Sequence, residues 1–359
     1  MSDVLHSRNA IYLYYSRFYT LPINKTDGAA VMELVVQPLG RTLHVEAGAN
    51  LLTALREHQV PISYSCTAGR CGTCRCKVLQ GEVHEMGREA KITGPNDEGY
   101  VLACMSSVTG NCVVEVPEPD EVVTHPARII KATVLAIEGM THDILRLRLK
   151  PAKPLAFSPG QYATLQFGPE LVRPYSMANV PGDEELEFHV RLVPGGRVTG
   201  HIGQVLAVGD AVRVSGPMGT AYLRRKHEGP MLCVAGGTGL APVLSIVRAA
   251  LAAGMDQPIH LYFGVRTPRD VYGLAWLEQL RERHANLHLH VVVSTGNDDP
   301  RWRAGVVTAA VSADWSSLAG WRAYLCGAPP MVEAAALLVK RRGVLPEHVY
   351  ADAFYASAI

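Results

Sequence analysis

From Glu33 onward the chain is built of short apolar runs broken by turns. ELVVQPLGRTLHVEAG alternates on either side of a Gly turn, the pattern of two strands. ANLLTALREHQV then shifts to helical spacing, with Leu51, Leu52 and Leu55 on one side and Asn50 placed to cap it. A cysteine-rich loop follows, then strand-like CRCKVLQGEV and NCVVEVPEP, so residues 32–118 read as a small mixed α/β domain. PEPDEVVTHP is a Pro- and acid-rich linker. Residues 127–226 run strand after strand (RIIKATVLAIE, DILRLRLKP, GQYATLQF, LEFHVRLV, DAVRVSG), which predicts an antiparallel β-barrel. Residues 227–359 alternate strand and helix: MLCVAG, GLAPVLSIVRAALAAG, IHLYFGV, LAWLEQLRERH, LHLHVVVS, AYLCG and PMVEAAALLVKRRG. That alternation predicts an α/β domain with a parallel sheet and helices on both faces. The whole is a multidomain chain of α+β and α/β type.

Composition narrows the function classes. The chain has 359 residues, more than one ordinary core holds. Its formal net charge of +1 gives no pull toward nucleic acid or an anionic membrane surface. The longest apolar stretch, GPMLCVAGGTGLAPVLSIVRAALAAG, is broken by glycines, Pro242 and Arg248, and makes a poor membrane span. No secretory leader precedes the pattern, so a reducing cytoplasm is expected, and clustered cysteines then indicate metal or redox chemistry rather than disulfides. Residues 1–31 show no period and are expected to be a disordered extension or a start assigned too far upstream.

Cys66, Cys71 and Cys74 are spaced C-x4-C-x2-C, and Cys104 lies further on. This is the plant-type spacing for a 2Fe–2S cluster, in which four thiolates converge on a small electron-rich core. Gly69 and Gly72 let the loop wrap closely and turn N–H groups toward the sulfurs. Zinc is the alternative, but structural zinc favours two short knuckles rather than three ligands in one loop. Cys76 and Cys112 read as core thiols; Cys112 shares a strand face with Val114 and Val116.

In the barrel segment, RPYS supplies Arg173 to clamp a phosphate, Tyr175 to lie against a flat ring, and Ser176. GGRVT follows, with Gly195 and Gly196 for close backbone approach and Thr199 to cap a helix whose N-terminus takes a pyrophosphate. His189 and Arg191, on the strand between, join the candidate cofactor-binding set. CVAGGTGLAP ends a strand and opens a helix, so Gly236, Gly237, Thr238 and Gly239 form a dinucleotide-type turn. Pro242 stands where the fingerprint has its third Gly and suits a first helical turn. The acidic residue expected at the end of the second strand is missing. That strand ends GVRTPRD, with Arg266 and Arg269 nearby and Asp270 beyond, which leaves NADH and NADPH both open. Cys326 and Gly327 close a later strand, where α/β sheets bind ligands. Cys326 is either a small buried hydrophobe or a thiol near the reacting ring.

With these elements in order, the chain from Met32 resembles the iron–sulfur flavoprotein reductases of aromatic-ring-hydroxylating dioxygenase systems, the naphthalene type in particular. ISYSCTAGRCGTCRCKV, VLACMSSVTGNC, FSPGQYATLQF, RPYSMAN, VPGGRVT, GPMLCVAGGTGLAPVLSIV, YLCGAP and the closing YADAFY carry the resemblance. It implies a β-grasp 2Fe–2S ferredoxin domain, an FAD barrel and an NAD domain. The implied activity passes electrons from NADH or NADPH through FAD and the cluster to a Rieske-type ferredoxin that feeds a dioxygenase. The reductase of a soluble multicomponent monooxygenase is the alternative. The resemblance also implies that Cys326 faces the hydride-transfer region and that Phe354 lies near the flavin ring.

Overall fold

The structure, a computed structural model, describes residues 30–62, 64, 67, 69, 74–86, 99–117, 122 and 125–355. The expectations for residues 1–29, Cys66, Cys71 and Gly72 lie outside the described residues.

The first unit contains β1 (Val31–Gln37), β2 (Arg41–Glu46), α1 (Leu51–Glu57), β3 (Arg75–Gln80), β4 (Val83–Glu85), β5 (Tyr100–Leu102), β6 (Ser106–Val108) and β7 (Cys112–Glu115). Five strands form a mixed sheet in the order β2-β1-β7-β3-β5, with β1 parallel to β7 and the other pairs antiparallel. The amphipathic α1 lays Leu51 and Leu55 on this sheet, in one core with Leu34, Val36 and Val114. Its Asn50 cap accepts a hydrogen bond from the Thr53 N–H at 3.1 Å, worth about 1 kcal/mol. Cys76 and Cys112 are buried in the same core, as their spacing predicts.

The second unit contains β8 (Arg128–Gly139), β9 (Ile144–Pro151), β10 (Tyr162–Gly168), β11 (Leu171–Ser176), β12 (Leu186–Arg191), α2 (Arg197–Gln204) and β13 (Ala211–Met218). Its strands pair antiparallel in the order β11-β10-β13-β8-β9-β12. A bridge between Met177 and Phe188 brings the end of β11 to β12, so the sheet nearly closes on itself. The sequence pattern shows five of these strands. The sixth, β11, contains RPYS; Pro174 hides the strand in the pattern but is tolerated in one at the end of the sheet order.

The third unit contains β14 (Met231–Gly236), α3 (Leu240–Ala252), β15 (Ile259–Val265), α4 (Leu274–Arg283), β16 (Leu287–Val293), β17 (Arg303–Ala304), α5 (Val307–Asp314), β18 (Arg322–Gly327), α6 (Pro329–Arg341) and β19 (Val349–Ala353). All six strands are parallel, in the order β17-β16-β15-β14-β18-β19. Separate apolar clusters cover the two faces, which is why β14 and β18 read as continuous apolar runs. The strand order reverses between β14 and β18, the switch point at which such sheets bind ligands. Barrel and parallel sheet are joined by two hydrogen bonds: the Ser245 hydroxyl donates to the Asn179 carbonyl at 2.6 Å in a buried position, and the half-buried Arg224 N–H donates to the Tyr324 hydroxyl at 2.9 Å.

Candidate functional site

Cys74 and Cys104 come together although thirty residues separate them in sequence. The Cys104 N–H donates to Cys74 Sγ at 3.4 Å, and the Ala103 N–H donates to the Cys74 carbonyl at 2.9 Å. Asn50 holds this corner with its other end: Nδ2 donates to the Cys104 carbonyl at 2.9 Å, so the helix cap also anchors the fourth cysteine. Thr67 and Gly69 have positive φ, 51° and 70°, as a loop folded tightly around a central group requires. An N–H directed at sulfur and a tight left-handed loop fit an iron–sulfur core. The Cys76 thiol, by contrast, is pushed up to about 12 by burial, the mark of a core residue.

In the barrel, Arg173 and Tyr175 lie two residues apart on β11 and so share a face, next to α2. The Tyr175 hydroxyl is buried with no hydrogen-bond partner among the described residues, and burial raises its pKa. A buried unpartnered hydroxyl costs about 1–3 kcal/mol, so it fits a site completed by a polar ligand such as FAD. Gly195 has φ +73°, and a Cβ on Gly196 would stand 2.4 Å from the Thr199 hydroxyl. Here the sequence expectation needs correcting: Gly196, not Thr199, is the N-cap of α2. Thr199 sits inside the first turn, where its hydroxyl accepts from the Val193 N–H at 3.2 Å and ties down the Gly–Gly turn. The reason is length: Thr199 lies three residues into the helix, so its side chain reaches back to the preceding turn.

The dinucleotide-type turn shows why its glycines are needed. A Cβ on Gly239 would stand 2.0 Å from the Cys326 carbonyl oxygen, and one on Gly327 (φ +143°) would stand 2.8 Å from the Gly236 carbonyl. The ends of β14 and β18 therefore pack backbone against backbone. Gly237 needs its glycine for φ +54° instead, and its open side faces the Arg191 guanidinium, 3.5 Å from an added Cβ. Thr238 completes a tight turn over Gly237–Gly239, and Pro242 is buried in the first turn of α3. The turn runs straight into α3, and the positive end of that helix, with no acidic residue in its first turn, suits an anionic pyrophosphate. Arg266 is exposed just past β15. Asp270 is turned inward, accepting from the Thr267 N–H and hydroxyl at 2.8 Å each, so it caps a turn rather than offering a carboxylate to a ribose.

Barrel and turn meet at Ser176. Its hydroxyl donates to Asp352 Oδ2 on β19 at 3.3 Å, and Asp352 pairs in register with Cys326. Burial pushes the Asp352 carboxyl up to about 6, opposed by the Ser176 hydrogen bond. Burial, with Asp352 beside it, drives the Cys326 thiol well above its ordinary value, so Cys326 is a neutral thiol at pH 7 and not a thiolate nucleophile. The Phe354 N–H donates to the Gly327 carbonyl at 2.8 Å, which stitches the C-terminal segment to the turn. Asp352 escaped the sequence reading; its signal is a lone acid inside the strand VYADA. His189 is buried, with Nε2 3.1 Å from Glu187 Oε1 and Nδ1 3.0 Å from the Tyr272 hydroxyl. Arg191 Nε donates to Asp143 at 2.8 Å, beside the glycine turn.

A cluster domain, a flavin-type barrel and a nicotinamide-type sheet in one chain define an iron–sulfur flavoprotein reductase. Family models agree: the 2Fe-2S iron-sulfur cluster binding domain matches residues 34–109, the oxidoreductase FAD-binding domain 131–222 and the oxidoreductase NAD-binding domain 233–336. The chain is 59% identical over 328 residues to the naphthalene 1,2-dioxygenase system ferredoxin–NAD(P)+ reductase component of Pseudomonas putida, covering 91% of this chain and 100% of that one. It is equally 59% identical, with the same coverage, to the reductase component of the naphthalene 1,2-dioxygenase/salicylate 5-hydroxylase systems of Ralstonia. The crystal structure of an Amycolatopsis cytochrome P450 reductase superposes with TM-score 0.68 at 37% identity, covering 90% of this chain and 98% of that one. The chain belongs to the family of ferredoxin–NAD(P)+ reductase components, with a 2Fe–2S cluster, FAD and a nicotinamide coenzyme as its redox groups. No helix among the described residues is long and apolar enough to cross a membrane.

Proposed function

We propose that this chain carries electrons from NADH or NADPH to a Rieske-type ferredoxin, which in turn feeds an aromatic-ring dioxygenase in the cytoplasm. The observation that carries the reading is the Ser176–Asp352 hydrogen bond. It ties the RPYS strand of the barrel to the strand beside Cys326, so the flavin-type and nicotinamide-type elements converge on one place. FAD and the cluster, when bound, supply the redox chemistry: flavin accepts a hydride and releases electrons singly, and the cluster conveys them one at a time.

The residues supply binding and order. Arg173 and the N-terminus of α2 hold the flavin phosphates, and Tyr175 offers its buried hydroxyl and ring. Gly236 to Gly239 and the start of α3 hold the coenzyme pyrophosphate. Gly327 allows the close approach of β14 and β18 that leaves Cys326 beside the reacting ring. Cys66, Cys71, Cys74 and Cys104 hold the cluster, and residues 32–118, 127–226 and 227–359 are the three working units. The test is a purified protein assayed with each coenzyme against ferricyanide and against Rieske ferredoxins of dioxygenase systems. Coenzyme should bleach both flavin and cluster absorbance and reduce a ferredoxin of the naphthalene type. Reduction of ferricyanide with no turnover on any Rieske ferredoxin would reject the proposed acceptor.

A further inference from the structure

A buried polar chain runs from the barrel into the glycine turn of the parallel sheet. Arg146 on β9 donates to Glu187 Oε2 on β12 at 2.6 Å. Glu187 Oε1 lies 3.1 Å from His189 Nε2, on the same face of β12. His189 Nδ1 lies 3.0 Å from the hydroxyl of Tyr272, in the loop between β15 and α4. That hydroxyl lies 3.4 Å from the Gly237 carbonyl. His189 and Tyr272 are 3% and 4% exposed, so solvent does not substitute for these partners. Their rings meet edge to face at 5.3 Å, and Tyr272 also abuts Phe263 at 5.6 Å, which fixes the phenol ring independently of its hydroxyl.

Burial pushes Glu187 up, but the bonds from His189 and Arg146 outweigh it and hold the carboxyl at about 2, ionised. Burial lowers the His189 pKa more than Glu187 raises it, leaving a neutral imidazole. The ionised carboxylate takes the proton-bearing Nε2, so Nδ1 is a bare acceptor and Tyr272 must donate to it. The phenol oxygen is thereby held at one point, with the Gly237 carbonyl as the longer arm of a shared hydrogen.

We propose that His189 and Tyr272 are positioning residues for coenzyme binding: strand β12 of the barrel, through these two side chains, fixes the Gly237 turn that receives the coenzyme pyrophosphate. The proposal rests on the reading of that turn as the nicotinamide-dinucleotide site. It explains why a histidine with both ring nitrogens occupied sits beneath a cofactor turn, and it gives Tyr272, which no sequence motif marks, a task in the reaction.

The test uses the full chain with FAD and cluster in place. Tyr272→Phe keeps the ring packing and removes only the hydroxyl; His189→Leu removes the acceptor; the double variant completes the cycle. The readouts are NAD+ affinity by calorimetry, and KM and kcat for NADH with ferricyanide. Tyr272→Phe should weaken NAD+ binding and raise KM by about fivefold while kcat falls less than about twofold, the magnitude of one ordinary hydrogen bond. The double variant should be no weaker than His189→Leu alone, because both changes act through one hydroxyl. Affinity and KM unchanged in Tyr272→Phe, or effects that multiply in the double variant, overturn the proposal. A wild-type protein that binds neither NAD+ nor NADH sinks the functional reading and the proposal together.

Discussion

Gly69 in the cysteine loop and Gly239 in the dinucleotide turn both lack room for a side chain, but what fills the space differs. At Gly69 (φ +70°) an added Cβ would meet the side chain of Met105 at 2.8 Å, which can rotate away. At Gly239 it would meet the Cys326 main-chain carbonyl at 2.0 Å, held in a fully buried parallel strand. At Gly69 the obstacle is therefore a flexible side chain, and Asn50 and the Cys104 N–H hold the neighbouring pair Cys74 and Cys104. In the dinucleotide turn the strand ends pack backbone on backbone at the strand-order reversal. One glycine faces a side chain, while the other faces main chain held by the sheet.

The sharpest way to break this contrast is to add one methyl group at each place. Gly239→Ala should cost about 3 kcal/mol or more, because two strand ends must separate. It should lower the thermal midpoint and weaken NAD+ binding together. A variant with wild-type stability and affinity would show that β14 and β18 are not locked.

Asp352→Asn sharpens the contrast from the nicotinamide side. The folded carboxyl is raised to about 6, above its unfolded value, so folding favours its protonated form. Below about pH 4 it is protonated in both states and has no effect. Between pH 4 and 6 the unfolded chain ionises first, and the wild type loses roughly 1–3 kcal/mol. The variant should therefore gain stability relative to wild type as pH rises through that window and hold the gain above it. A difference independent of pH would show that Asp352 is not desolvated at the domain junction. Gly69→Ala should cost only about 1–2 kcal/mol, the strain of its left-handed backbone, and keep the cluster spectrum. Cys76→Ala and Cys112→Ala, core thiols, should cost about 1 kcal/mol each by thermal unfolding and also keep it.

What was legible in the sequence follows from how local each cause is. The cysteine spacing was readable because thiolate ligands admit few substitutes. Asn50 was readable as a cap, though its grip on the Cys104 carbonyl depends on a contact across 54 residues. The parallel sheet announced itself through continuous apolar strands. Strand β11 was hidden by Pro174, and the Thr199 cap was misplaced because a Gly cap carries no side-chain signal. The meeting of Ser176 with Asp352, 176 positions apart, and of His189 with Tyr272, 83 apart, is created by folding and has no local pattern.

The central claim is that the four cysteines form the exit of the electron path and the two glycine-rich units its start. Cys104→Ser tests it most directly, with flavin content, cluster absorbance and two acceptor rates measured on one preparation. The account predicts normal FAD content, a damaged or missing cluster, ferricyanide reduction by coenzyme within about twofold of wild type, and Rieske ferredoxin reduction lowered by about tenfold or more. Cluster-free variant that reduced the ferredoxin at the wild-type rate would contradict it.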